Sequence, residues 1–156
     1  MLKITVPGMD EITIHHLLLD YNGTLACDGQ IKPGVLEKLE QLSQHLKIHV
    51  ITADTFGSVQ DQCNEPFIHI HIIGKGAQDQ AKLDYLTTIG AEHTVAIGNG
   101  RNDAMILQHA QLGVAILQEE GCSTKSLLAS DIVFQSINEA LDVLINQNRL
   151  IATLRT

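Results

Sequence analysis

Tryptophan is absent from this chain, and aromatic residues make up only 3% of it. Any core must therefore be built mainly from Leu, Ile, Val and Ala. Hydrophobic residues reach 44% and charged residues 18%, a balance that predicts a folded chain rather than a disordered one. Cations are scarce: 10 Lys and Arg against 18 Asp and Glu leave a net charge of -8. A nucleic-acid surface needs clustered Lys and Arg, so no nucleic acid is expected as a partner. Cysteine is confined to Cys27, Cys63 and Cys122, far apart and without a C-x-x-C pair. That pattern predicts reduced thiols in a cytoplasmic protein, not a disulfide framework. No basic segment followed by a long apolar stretch opens the chain, so no signal peptide is expected. No apolar run approaches the roughly 20 residues that cross a bilayer, so no membrane partner is expected either.

Short apolar runs and helical stripes alternate from end to end. Residues 3–6 and 12–19 read as strands around a Pro7-Gly8 turn, an N-terminal hairpin. Further strands are expected at 47–52, 67–73, 94–97, 113–117 and 132–134. Helices are expected at 33–46, 56–63, 77–89, 103–111, 123–128 and 137–146, with Gly90 stopping the third. Such alternation predicts a Rossmann-like α/β three-layer sandwich, a mainly parallel sheet between helices, as one domain over 1–156. The tail from Arg149 to Thr156 is apolar enough to dock on that body.

Four pieces with chemical potential fall at successive strand ends, where open α/β sheets bind their ligands. The first is Asp20-Tyr21-Asn22-Gly23-Thr24, after the apolar run 14–19. An Asp held there can attack phosphorus, Gly23 allows a sharp turn, and Thr24 can hydrogen-bond within it. The second is Thr52-Ala53-Asp54, whose hydroxyl suits a phosphoryl oxygen, although Thr52 or Thr55 can equally cap the next helix. The third is a lysine able to neutralise a pentacoordinate phosphoryl group. Lys82, near the start of a helix, is preferred to Lys75 in Gly74-Lys75-Gly76. The fourth is Gly98-Asn99-Gly100-Arg101-Asn102-Asp103, where Asn99 and Asp103 can face a hard cation and Arg101 can reach a phosphate.

In this order, and with the phrase GNGRNDAMIL followed by GVAIL, the chain resembles the haloacid-dehalogenase superfamily of phosphohydrolases. More narrowly it resembles the capless, soluble proteins akin to the phosphorylation domain of P-type ATPases, from about Ile14 to Phe134. The resemblance implies transient phosphorylation of Asp20, with Thr52 and Lys82 holding the phosphoryl group. It implies a phosphorylated small molecule or other phosphoryl ligand as partner. It also implies Mg²⁺ bound by Asp20, the Asn22 carbonyl, Asn99 and Asp103. The intervals 20–52 and 52–82 each hold one helix and one strand, so no cap domain is expected. An open site of that kind can be completed by a homo-oligomer. No ion pumping is expected of it.

Two residues depart from the family pattern. Asn22 stands where family phosphatases carry a general-acid Asp, a contribution of roughly 10²–10⁴ in rate. Asn99 stands where the ATPase-like loop has Asp, so Mg²⁺ binding is expected to depend on the substrate's own phosphate. Activity is therefore expected to favour activated phosphates over alkyl phosphomonoesters. The rival reading is a catalytically weakened phosphoryl-ligand binding or regulatory protein; a receiver domain fits less well, for want of paired acids. Among eight histidines, His69 and His71 share one strand face and suit an edge strand or subunit contact better than zinc; His15 and His16 read as structural.

Overall fold

The computed structural model describes residues 1–53 and 57–156. Asp54 of the second piece, the alternative cap Thr55 and the expected helix start at Phe56 lie outside the described residues.

The chain opens with β1 (Leu2–Ile4) and β2 (Ile12–Ile14), an antiparallel hairpin. It then enters β3 (His16–Asp20). The expected single strand 12–19 is thus broken at His15. Pairing partners cause the break: β2 answers β1, whereas β3 lies parallel to strands on both sides. His15 takes the crossover, donating its N–H to His93 O at 2.8 Å and accepting from Lys47 N at 2.9 Å.

After the Asp20 turn come β4 (Ala26–Cys27) and β5 (Gln30–Ile31), a small hairpin that the sequence pattern does not announce. Next are α1 (Val35–Ser43), β6 (Lys47–Thr52), α2 (Val59–Gln62), β7 (Ile68–Ile72) and α3 (Gln78–Ile89). Then follow β8 (Thr94–Gly98), a 3₁₀ turn (Arg101–Asp103), α4 (Ala104–His109) and β9 (Leu112–Ile116). Last are α5 (Thr124–Ala129), β10 (Ile132–Phe134), α6 (Ile137–Ile145) and α7 (Asn148–Leu154). Helix α1 begins later than expected because Gly34, in left-handed backbone at φ 81°, precedes it.

The main sheet runs β10-β9-β8-β3-β6-β7, with each neighbouring pair parallel. The fold is a Rossmann-like α/β sandwich without a distinct cap. Strand β3 lies at the centre and is apolar on both faces: Leu17 and Leu19 join one core, Leu18 the other. The first core gathers α1, α6, α7 and the β1–β2 hairpin, and the second gathers α3, α4 and α5. The tail docks, with Leu150 buried in the first core. The chain builds β6 and β7 on one side of β3, then β8, β9 and β10 on the other. That reversal of strand order makes a topological switch point at the carboxyl ends of β3 and β8, beside Asp20, the place where open α/β sheets bind their ligands. Among the described residues no helix is long and apolar enough to cross a membrane.

Candidate active site

Asp20 closes β3 and is 6% exposed. The chain then turns tightly: Tyr21 O accepts from Thr24 N and Ala26 N, and Gly23 N donates to Ala26 O. Gly23 has φ 80°, and a Cβ there would stand 2.3 Å from Asn99 Nδ2. The position therefore needs glycine for both backbone and space. Thr24, fully buried, has one hydroxyl proton within reach of two acceptors, Asp20 Oδ2 at 3.3 Å and Asn99 Oδ1 at 3.2 Å.

Lys82 and Leu86, four residues apart, form the buried stripe of α3. From there the Lys82 ammonium reaches the strand ends. Its Nζ lies 2.6 Å from Asp20 Oδ1 and 2.6 Å from Asp103 Oδ1. Asp103 is fully buried, and its Oδ2 accepts from Asn99 N at 3.1 Å and Gly100 N at 2.9 Å. Gly98 makes room for it, since a Cβ there would lie 2.5 Å from Asp103 Cγ. Asp103 thus pins the loop with one oxygen and Lys82 with the other.

Burial and then the Asp103 charge push the Asp20 carboxyl up to about 7, against the pull of Lys82. Burial opposes the Lys82 charge, but the contacts with Asp103 and Asp20 outweigh it and raise its pKa above the ordinary lysine range. Lys82 thus bridges two buried carboxyl groups at the sheet's carboxyl edge.

Thr52 ends β6, next to the strand of Asp20, and is 1% exposed; Ala53 beside it is half-buried. Arg101 is exposed, beside a shallow cavity of about 290 Å³ that Gln78 and Asn102 also line. Lys75 is exposed, and the structure gives it no contact with Asp20 among the described residues. His69 packs toward His49 (ring centroids 5.4 Å apart), and His71 stacks on Tyr85 at 4.2 Å, both on the edge strand β7. Among the described residues, the one trio of His, Cys, Asp or Glu side chains with ligand atoms mutually within 4.8 Å is Cys27, Asp28 and Glu120, near the β4–β5 hairpin.

The sequence reading missed the segment from the end of β9 into α5. Gln118 Nε2 donates to Gly23 O and Thr24 O, Gly121 O accepts from Asn99 Nδ2 at 2.9 Å, and Ser126 Oγ donates to Gly100 O. These partners are mostly backbone atoms, which leave no signature in residue spacing.

The profile of the haloacid dehalogenase-like hydrolases matches residues 31–140, which carry Thr52, Lys82, Asn99 and Asp103. This chain belongs to that family. An uncharacterised protein of Methanocaldococcus jannaschii is 45% identical to this haloacid dehalogenase-like hydrolase over 84 residues, 51% of this chain and 90% of that one. A soluble P-type ATPase-like phosphatase of the same organism is 25% identical over 77% of this chain, which spans 45% of that protein. In fold, the hydrolase is similar to the 3-deoxy-D-manno-octulosonate 8-phosphate phosphatase of Moraxella catarrhalis: TM-score 0.58 at 20% identity, covering 91% of this chain and 94% of that one.

Proposed function

We propose that this hydrolase cleaves or transfers phosphoryl groups through an aspartyl-phosphate at Asp20, acting on activated phosphates. The observation that carries the reading is the buried contact of 2.6 Å between Lys82 Nζ and Asp20 Oδ1, at the carboxyl ends of the central strands. A carboxylate oxygen of Asp20 attacks phosphorus in line, and the bond from phosphorus to the leaving oxygen breaks. The leaving group departs with the electron pair. Lys82 and Thr52 meet the charge on the equatorial oxygens. Water then attacks the phosphorus of the aspartyl-phosphate, releasing phosphate and restoring Asp20. Ala53, Gly23 and Thr24 border the phosphoryl position, and Arg101 stands further out, toward the substrate's remainder.

The family's divalent metal fits the residues present. Asp20 Oδ2 and Asn99 Oδ1 compete for the single Thr24 proton, and Asn22 Oδ1 is buried with no hydrogen-bond partner among the described residues. Oxygen acceptors outnumber donors, an arrangement suited to a hard cation such as Mg²⁺. Asp20, the Asn22 carbonyl and Asn99 would hold it, with Asp103 completing the anionic side behind them. When bound, the ion offsets charge on the phosphoryl oxygens. The related Moraxella catarrhalis phosphatase was solved with magnesium and phosphate, which supports this reading.

Asn22 cannot supply a proton to the leaving group, which is why activated phosphates are favoured. Hydrolysis of acetyl phosphate and para-nitrophenyl phosphate with Mg²⁺ tests the proposal. Asp20→Asn is expected to abolish turnover. Asn22→Asp is expected to raise the rate on the poorer leaving group by roughly tenfold or more. A wild-type protein that binds fluoroberyllate but never turns over would instead be a phosphoryl-ligand binding or regulatory protein.

A further inference from the structure

We infer that Gln118 is a positioning residue for the Asp20 turn, an inference that rests on the phosphoryl chemistry proposed above. Gln118 lies two residues beyond β9, after Leu117 N has donated to Phe134 O at 2.9 Å and carried the chain off the sheet. Its Nε2 donates to Gly23 O at 3.1 Å and Thr24 O at 2.7 Å. Its Oε1 accepts from Ile137 N at 3.1 Å. Both amide protons and the carbonyl of the side chain are therefore engaged. Ile137 opens α6, so that N–H has no partner within the helix and is free to anchor the carboxamide. Gln118 is a strut from a fixed helix end to the peptide that follows the nucleophile's turn.

That peptide carries Thr24, whose hydroxyl faces Asp20 Oδ2 and Asn99 Oδ1. The same loop then holds the opposite wall. Gly121 O takes Asn99 Nδ2 at 2.9 Å and Ser123 N donates to Asn99 O at 2.8 Å, so the Asn99 amide presents its oxygen to the site. Gln118 thus acts on Asp20 through Thr24 and touches no reacting atom. Misplacing an attacking atom by an ångström costs far more rate than binding. Loss of the strut accordingly falls on kcat, while KM stays.

The charge on position 118 makes the claim separable from plain loop anchoring. Gln118→Met keeps length and removes both donors. Gln118→Glu keeps length and the Ile137 contact, but its carboxylate would face two carbonyl oxygens, acceptor against acceptor. Protonation turns one oxygen into a donor and re-forms one bond. The test measures kcat and KM for acetyl phosphate from pH 5 to 8, melting temperature, and amide exchange across residues 21–26. Gln118→Met is expected to lose roughly tenfold in kcat with KM within about twofold. Gln118→Glu is expected to lose more near neutrality, and its kcat relative to wild type at the same pH is expected to recover in part below about pH 5.5, through an ionisation that wild type lacks. That ionisation also decides the matter where Gln118→Met does not fold. Wild-type kcat in both variants, or a loss matching the unfolded fraction alone, overturns the inference. A wild type without turnover sinks the phosphoryl reading by itself. Faster exchange at 21–26 in the variants then still supports the strut, and unchanged exchange overturns it.

Discussion

Two clusters of ionisable side chains sit on the same parallel sheet in opposite states. At the carboxyl ends, Asp20, Lys82 and Asp103 are buried together, with charges that compensate one another across contacts of 2.6 Å. Toward the β7 side, His16 Nδ1 shares a hydrogen bond with His49 Nε2 at 3.0 Å, and His49 Nδ1 shares one with Tyr85 Oη at 2.9 Å. No carboxylate is within salt-bridge distance of His16 or His49 among the described residues. Burial therefore lowers the His49 pKa to about 4, helped by His16, His69 and Lys47. Burial opposes charge in both places: Lys82 keeps its charge because two carboxyl groups are in contact with it, whereas His49, with no opposite charge in contact, is held neutral. The first cluster is suited to electrostatic work on an anion; the second is a neutral hydrogen-bonded strip.

The largest effect should come from breaking the charged cluster. Lys82→Met leaves two carboxylates buried against each other, which costs about 3–5 kcal/mol and lowers the melting temperature by roughly 10 °C or more. Turnover of acetyl phosphate should vanish with it. Adding Asp103→Asn relieves the like-charge contact and should restore part of the stability but none of the turnover. Thermal melts and rates on the single and double variants check this. If the double variant is no more stable than Lys82→Met, the compensation argument is wrong.

The contrast also explains what could be foreseen. The Asp20 turn was legible because a carboxylate, a glycine and a threonine follow an apolar run, and each has a local physical reason to be there. Lys82 was legible because it lies near the start of a helix leading into the Asn99 loop; that it shares the helix's buried face with Leu86 only the structure shows. Gln118 was not, because its partners are carbonyls 94 and 95 residues away and any residue type carries a carbonyl. The break at His15 was hidden for a related reason. The run 12–19 carries no Gly or Pro to mark a break, and the choice of partner strands divides it. The β4–β5 hairpin has two-residue strands, too short to show alternation. Asp103 was expected to face a cation, and the structure shows its oxygens engaged by Lys82 and two backbone N–H groups.

Acid should break the neutral cluster selectively. His49 takes up a proton near 6.5 when unfolded but only near 4 when folded, so its stabilising contribution is complete above about pH 6.5 and fades as pH falls toward 4. By pH 5 the loss amounts to about 2 kcal/mol. Wild type should therefore lose more stability than His49→Gln between pH 7.5 and pH 5, measured by urea unfolding at each pH. Parallel losses in the two proteins would mean that the strip is not held neutral.

The smallest effect probes whether the two clusters are independent, because α3 serves both. It sends Lys82 to the carboxyl ends and, three residues on, Tyr85 to His49 and His71. Tyr85→Phe keeps the ring that stacks on His71 and deletes only the hydroxyl that bonds His49. One hydrogen bond in a half-buried setting is worth about 1 kcal/mol, or roughly 2–4 °C in melting temperature for a chain of this size. Helix α3 is also held by Leu86 in the second core and by the Asn102 Nδ2 to Gln78 Oε1 bond at 2.7 Å in its first turn. Those anchors lie on either side of Lys82, so its position should survive the loss of the Tyr85 hydroxyl. The expected result is a lower melting temperature with kcat on acetyl phosphate within twofold of wild type. A tenfold drop in kcat would show that the histidine strip sets the register of α3, and that the charged cluster and the neutral one form a single device.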